Sequence, residues 1–565
     1  MNNKKVSERL KFDINDPYFI SSIENIPRLL SLLDRNPASK SYGSFDRTYW
    51  LDKAIDFPSA NIQYSTLALA YVYKYNYEGS SYYKNRQLLT WIEAAMNFWV
   101  TIQHADGSFD EFYPNERGWG APTGFTCYAM GVCMIILKEE LSKETKDNVL
   151  KSLYLGIKFL NQYEGDRMLT NHHAIVILAI NTVVKLTSDK SLLIDLENKI
   201  DIIMELNNDE GWSLEYDGPD LGYLTATVSF LSKSQLLRYD ERIQKVIDDS
   251  ICFISYFAQP DGGFGGIISS RNTVHVYPDG FELNKIKNKI SYSLSVHFLK
   301  SLHLMNTANP IVMPDRYLGY RIVEYFETAI TRRRIEEIES TLLKLPFEKN
   351  SFTKIFQQSG IIVKKTKYYY IIINLSKGGA VKIFDVVNNK LILSDSGITV
   401  CGERESYTSS WIDPKYNFEI IDDNYYVKGE LVKIVSPYQF TSGMIIFRLI
   451  QMSFGRIGLF AYYMKILIKK LFISGIKRSK IQFSRNIKIS SNKIVIEDRL
   501  RSKKHYNIKR ILIGGEFHYR YVPQSRYFLE IDKNLYHSYI ENNEIKKIYS
   551  DDGFFNQRLF EHDSH

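Results

Sequence analysis

Residues 105–141 read ADGSFDEFYPNERGWGAPTGFTCYAMGVCMIILKEEL. The first part is a turn, built on the acidic–glycine pair Asp106–Gly107 and an aromatic residue. The second part is helical, with apolar residues returning at three- and four-residue spacings. The same unit recurs on either side. GSFD stands at Gly43 and again at Gly107, YEGD begins at Tyr163, DEGWSLEY at Asp209 and PDGGFGG at Pro260. From Asp106 the acidic–glycine pairs at Glu164, Glu210 and Asp261 return about every 50 residues, a period that fits one helix pair plus a loop. Runs such as NIQYSTLALAYVYKYN, TKDNVLKSLYLGIKFLNQY, HHAIVILAINTVVKLTS and ERIQKVIDDSICFISYFA fill the intervals. A closed ring of such pairs, an incomplete (α/α) toroid over residues 1–335, gathers its loops and a cleft at one end. An open solenoid is the alternative, and the number of acidic–glycine–aromatic loops favours the toroid.

Beyond Arg332–Arg334 the pattern changes. RRRIEEIESTLLKLPFEKN reads as a linker centred on 336–350. From Ser351 onward the period drops to two in IIVKKTKYYYIIINLS, AVKIFDVVNNKLILSDSG and KIQFSRNIKISSNKIVIEDRL. Short β-branched and aromatic strands separated by Asn, Gly and Asp turns indicate an antiparallel β-sandwich over 351–565. The expected class is therefore multidomain α+β.

A chain of 565 residues is too long for one ordinary core. Its 44% apolar and 24% charged residues are globular, not disordered. The four cysteines, Cys127, Cys133, Cys252 and Cys401, form no metal-ligand spacing, so no zinc site, metal or cofactor is expected. The start, MNNKKVSERLKFDINDPYF, has no apolar signal core, and no spanning helix is expected. Aromatics reach 14% of the chain. Tyrosine-rich clefts suit sugars, while a compositional bias toward Tyr, Ile, Asn and Lys accounts for the same count.

The net charge of +8 is concentrated. Leu431 to Ile496 holds twelve Lys and Arg, among them Arg448, Arg456, Lys465, Lys469 and Lys470, and no Asp or Glu. Within it, residues 438–478 read as a basic amphipathic helical insertion suited to an anionic membrane surface or an acidic polymer. A core-packed excursion whose charges reach its edges is the alternative. Nothing resembles a nucleic-acid module, so nucleic acid is not an expected partner.

Four segments, TNHHAIVILAI at 170–180, EYDGPDLGYLTAT at 215–227, SSRNTVHVYPDGFE at 269–282 and GGAVKIFD at 378–385, together resemble the heparinase II/III-like polysaccharide lyases. GSFDRTYW, DFPSA and DGSFDEFYPNERG resemble the branch associated with surface-polysaccharide synthesis. The resemblance covers nearly the whole chain and rests on the order of the motifs. It implies a carbon–oxygen lyase that cleaves an acidic, uronate-containing polysaccharide by β-elimination, in capsule, O-antigen or exopolysaccharide metabolism.

Such chemistry needs a group to neutralise the uronate carboxylate, a base for the adjacent proton and an acid for the leaving oxygen. The resemblance assigns Asn171 to the carboxylate and Tyr223 to the acid and also, in one alternative, the base, while His172 or its neighbour His173 is the candidate base or positioner. His275 is a further candidate base. Substrate-binding candidates are His173, Tyr216, Arg271, Asn272, Tyr277, Glu282, Glu111, Arg117 and Trp119. Each has a bland reading: histidines that cap a helix, an aromatic wall, an Arg271–Glu282 ion pair that fixes a loop. Active lyases of this type also place a His or Tyr from the sandwich in the cleft. No histidine follows GGAVKIFD closely, and His505 and His518 are the later candidates.

Two other functions compete. Asp110, Glu111, Glu215, Asp217 and Asp220 supply carboxylates for a glycoside hydrolase. A non-catalytic glycan-binding or assembly protein at the membrane surface needs neither constellation. With no signal core read at the start, the expected location is the cytoplasm or the inner-membrane surface, with the cell envelope as the alternative by analogy with secreted lyases.

Overall fold

The computed structural model describes residues 11–117, 119–163, 167–335, 342–434, 441–472, 475–514, 538–541 and 543–562. Two kinds of helix alternate up to Arg334. The helices Thr66–Lys74, Gly120–Leu137, Thr170–Thr187, Leu221–Leu237 and Asp315–Arg334 are buried on nearly all sides. The helices Arg86–Thr101, Lys143–Gln162, Leu196–Leu206 and Glu241–Ser255 bury one stripe each and face solvent with the other. The first four buried helices pack one on the next, the short helix Asp279–Asn284 packs on both Leu221–Leu237 and Asp315–Arg334, and Asp315–Arg334 packs back on Thr66–Lys74. Gly120–Leu137 is long and apolar enough to cross a membrane, yet most of it lies inside this core.

The recurring acidic–glycine loops have a steric cause. Gly43, Gly107, Gly211 and Gly262 all take φ near +90° (93°, 92°, 90° and 89°). A Cβ at Gly43, Gly107 or Gly211 would fall on the carbonyl oxygen of Ala94, Leu155 or Asp249, each on a solvent-facing helix. Only glycine fits a left-handed turn pressed against a neighbouring backbone. Gly107→Ala is therefore expected to destabilise the fold by about 2–4 kcal/mol, read as a lower urea midpoint. An unchanged midpoint would remove the steric account of the repeat.

Strands begin at Phe352. A five-stranded antiparallel sheet runs in chain order through Phe352–Phe356, Ile361–Lys365, Tyr369–Asn374, Ala380–Asp385 and Lys390–Asp395. Its side chains alternate between two cores. Val363, Tyr370, Ile372 and Phe384 join the helical core, whereas Ile362, Ile371, Ile373 and Ile383 face the second sheet. Burial on both faces explains why YYIIIN is apolar throughout, every residue of Tyr369–Asn374 being buried. The nine-stranded antiparallel sheet contains the hairpins Asn417–Ile421 with Asn424–Lys433 and Arg478–Ile489 with Lys493–Ser502. Between them stand the helices Thr441–Met452 and Gly458–Phe472.

Polar contacts lock the helical and sheet regions. Glu210 of one acidic–glycine loop accepts the backbone N–H groups of Gln358 (2.7 Å) and Ser359 (3.1 Å). The Tyr370 hydroxyl donates to the Tyr256 carbonyl at 2.6 Å. Asn374 donates to the Ile268 carbonyl at 2.8 Å, and Lys377 to those of Ile267 (2.8 Å) and Ser269 (2.5 Å).

Candidate active site

Loops lead from the solvent-facing helices Arg86–Thr101 and Leu196–Leu206 to the starts of the buried helices Gly120–Leu137 and Leu221–Leu237. Asn171, His172 and His173 open the Thr170–Thr187 helix, and Tyr223 lies in the first turn of Leu221–Leu237. Between them, Leu214–Glu215 and Gly218–Pro219 pair as a minimal hairpin with Tyr216 and Asp217 at its tip. Tyr216 is held at φ 64°, an unusual conformation for an aromatic residue.

These residues form one contiguous surface. Trp119 meets the His172 ring edge-on at 5.2 Å and shares an apolar cluster with Leu169 and Tyr216. The Arg271 guanidinium stacks 3.6 Å over the Tyr216 ring. Tyr223 meets His275 edge-on at 5.4 Å. Asn171, Tyr216, Arg271, Tyr223, His172, Trp119 and His275 thus lie along one rim. His172 and Tyr223 are half-buried, whereas His173 and His275 are wholly buried.

Arg271 is 5% exposed, and its Nε and Nη2 are buried without a hydrogen-bond acceptor. A buried guanidinium that keeps two donors unused is suited to a planar anion. Burial pushes the Tyr223 hydroxyl well above the ordinary tyrosine range, and the neighbouring Tyr216, Asp220, Tyr317 and Glu215 push it the same way. The phenol therefore holds its proton at neutral pH.

The carboxylates are mostly consumed in building this rim. Glu215 accepts from the Asn171 backbone N–H (2.7 Å) and from its side-chain amide (2.8 Å), which fixes Asn171. Asp220 caps the Tyr223 helix, accepting from the Tyr223 and Arg271 backbone N–H groups (3.3 and 2.8 Å) and from the Thr273 hydroxyl. Asp110 accepts from the Asn115 and Glu116 backbones at 2.8 and 2.7 Å. Glu116 accepts from the Glu111 and Phe112 backbones at 3.0 and 2.6 Å. Glu111 is buried with Arg316 3.9 Å away.

Several candidates sit elsewhere. Glu282 turns toward Arg332 (2.7 Å) and Lys285 (2.9 Å), one helical turn past the rim, and forms no ion pair with Arg271. Tyr277 is a buried wall residue under Arg321, 4.6 Å away. Arg117 is held within its own loop by Asp106 at 3.5 Å. Asn272, at φ 57°, accepts from the Lys377 ammonium and so pins the Arg271 loop. His505 is exposed and stacks on Tyr549, and His518 lies outside the described residues. What the sheet region brings to the Arg271 loop is Lys377, a residue the sequence reading missed. Its place just before Gly378–Gly379 was the available signal.

The basic insertion also needs correction. Lys465, expected on an outward charged face, is 7% exposed, paired with Glu116 and 3.4 Å above the Trp119 ring. Arg478 and Arg485 belong to the following strand, where they pair with Asp413 (2.6 Å) and Asp498 (2.6 Å). Among the described residues no group of three His, Cys, Asp or Glu is placed to hold a metal.

Burial raises the Glu215 carboxyl to about 8 and the Glu111 carboxyl to about 7, from 4.5 for an ordinary glutamate. Between those limits the folded protein holds protons that the unfolded chain has lost. Stability should therefore fall as pH rises from about 5 to about 8. Thermal melts across that window would show it, and Glu215→Gln, which cannot ionise, should flatten the dependence. A melt that is equally pH-dependent in the variant would assign the effect to other groups.

No family model and no curated protein matches this chain. Solved structures do. A Paenibacillus xanthan lyase matches at 10% identity and a TM-score of 0.55, over 90% of this chain and 48% of its own. A chondroitin AC lyase of Streptomyces coelicolor A3, solved with chondroitin sulphate, matches at 9% and 0.50, over 90% and 68%. A heparan sulfate lyase of Pedobacter heparinus matches at 9% and 0.40, over 89% and 71%. This chain spans about half the length of the xanthan lyase. The likeness is one of fold: a helical region followed by antiparallel sheets, as in polysaccharide lyases.

Proposed function

We propose, from the polysaccharide-lyase fold that this chain shares, that it cleaves an acidic, uronate-containing polysaccharide by β-elimination. In this reading the buried helices form an incomplete (α/α) toroid, the two sheets a sandwich behind it, and the rim the catalytic cleft. The supporting observation is the pairing of Arg271, whose buried donors lack an acceptor, with the protonated Tyr223. Arg271 and Asn171 hold and neutralise the uronate carboxylate, which acidifies the neighbouring C–H. His172, the most accessible of the rim histidines, takes that proton. The C–H electron pair becomes the new C=C bond as the bond to the glycosidic oxygen breaks, and Tyr223 gives that oxygen its proton. His275 positions the Tyr223 ring.

A hydrolase reading is weaker because Asp110, Glu116, Glu215 and Asp220 are engaged in loop and helix-cap bonds. The surface-polysaccharide role belongs to the proposal as well, with the protein working in the cytoplasm or at the inner membrane.

The test is ultraviolet absorbance of the conjugated uronate during incubation with glucuronate and galacturonate polymers and with bacterial capsular polysaccharide. Absorbance should rise, and Arg271→Met should lose about 2 kcal/mol or more of transition-state stabilisation. Reducing ends released without that absorbance would make the protein a hydrolase. Polymer binding with neither product would make it a binding protein.

A further inference from the structure

We propose that the helices Thr441–Met452 and Gly458–Phe472 form a docking element for an anionic lipid bilayer. The pair has two unlike faces. The inner face grips the loop that bounds the rim: Asn115 donates to the Gln451 carbonyl at 3.1 Å, Arg448 pairs with Asp56 at 3.2 Å, and Phe447 meets Tyr113 edge-on at 5.4 Å. Lys465 completes the attachment through Glu116 and Trp119.

The outer face is apolar and uncovered. Of the thirty-four exposed large apolar side chains among the described residues, twelve fall between Met444 and Leu467. Leu459 is 69% exposed, Leu449 65% and Tyr463 62%. That density exceeds the scatter of single apolar residues on ordinary surfaces and marks an interaction surface. The fifteen-residue Gly458–Phe472 helix is about 22 Å long, short of the hydrocarbon thickness of roughly 30 Å, so the pair lies in the interface.

Charge selects the occupant. No acidic residue occurs from Leu431 to Ile496, and Arg456 is exposed between the exposed apolar residues Phe454 and Ile457. A second copy would bring the same basic face and meet repulsion, whereas an anionic bilayer offers both an apolar interior and neutralising headgroups. Exposed Tyr462 and Tyr463 suit the headgroup boundary. Because the inner face holds the loop beside Trp119, docking places the rim against the membrane surface.

The experiment is vesicle flotation of the full chain, with phosphatidylcholine alone and with a quarter phosphatidylglycerol. We expect flotation with the anionic vesicles, falling roughly tenfold or more on raising salt and in the outer-face variant Leu449→Asp/Leu459→Asp. That variant should keep the thermal midpoint of the parent, which separates lost docking from lost folding. A second variant, Arg456→Glu, tests the charge alone and should weaken flotation without altering the apolar face. Failure of the parent chain to float with anionic vesicles overturns the proposal. So does equal, salt-independent flotation with neutral ones. Sedimentation showing a dimer that the outer-face variant dissociates would overturn it in favour of a self-interface.

Discussion

Tyr223→Phe should abolish most turnover of a uronate polymer, by about 10²–10⁴-fold. The loss should fall on kcat, with KM nearly unchanged, because the hydroxyl is needed when the leaving oxygen takes up charge. The ring would stay in place: its contact with His275 involves the aromatic edge, and phenylalanine retains it. Burial keeps the hydroxyl protonated, as the proposed elimination requires of its acid. Steady-state kinetics with ultraviolet detection reads the effect, and a melt of the variant checks that the fold persists. Turnover within about twofold of the parent would exclude Tyr223 as the acid and leave that role to another group of the rim.

Lys233→Ala should be the most damaging change to stability, by about 3–5 kcal/mol. Lys233 sits among the buried helices with Glu324 at 2.6 Å, Glu327 at 2.5 Å and Asp279 at 3.6 Å. The hydroxyls of Tyr71 (2.7 Å) and Tyr128 (2.6 Å) also donate to Glu327. Burial alone pulls the Lys233 ammonium down, but the three carboxylates more than offset it and hold it well above the ordinary lysine range. Its contribution is thus complete at neutral pH and is lost only in strong alkali. Without it, three acids share a desolvated space in which burial has already pushed Asp279 up to about 7. The loss should therefore shrink on acidification, as those acids bind protons in the folded state. Denaturant melts of both proteins at about pH 5 and about pH 8 check this. A deficit independent of pH would mean that packing, not charge, sets the effect.

Much of this was legible in the chain. The glycine loops announced themselves because a left-handed turn against a carbonyl admits one residue type, so Gly107 and Gly211 mark themselves by identity. The switch to alternating runs at Ser351 located the sheets, since a pleated strand has period two. Asn171, Tyr216, Tyr223, Arg271 and His275 were singled out by motif order, and they lie along one rim in space.

Other features had no local signature. Glu282 and Arg271 are close in sequence and opposite in charge, yet Glu282, on the Asp279–Asn284 helix, pairs with Arg332, fifty residues on. Lys465 belongs to a run of basic residues that looks uniformly outward, but only one face of the Gly458–Phe472 helix meets Glu116 and Trp119. Glu215 reads as a carboxylate available for chemistry and is instead the clamp on Asn171.

The sequence by itself determined the two-part architecture, the repeat and the set of chemical groups available for catalysis. Periodicity and glycine turns are written in neighbouring residues, and short-range sterics enforce them. Only the tertiary structure decided which groups are engaged and which are held ready. Hydrogen-bond partners and desolvation come from segments far apart in the chain: Asp220 bonded to the Arg271 loop, Lys377 reaching it from the sheet region, and the surroundings that keep the proton on Tyr223.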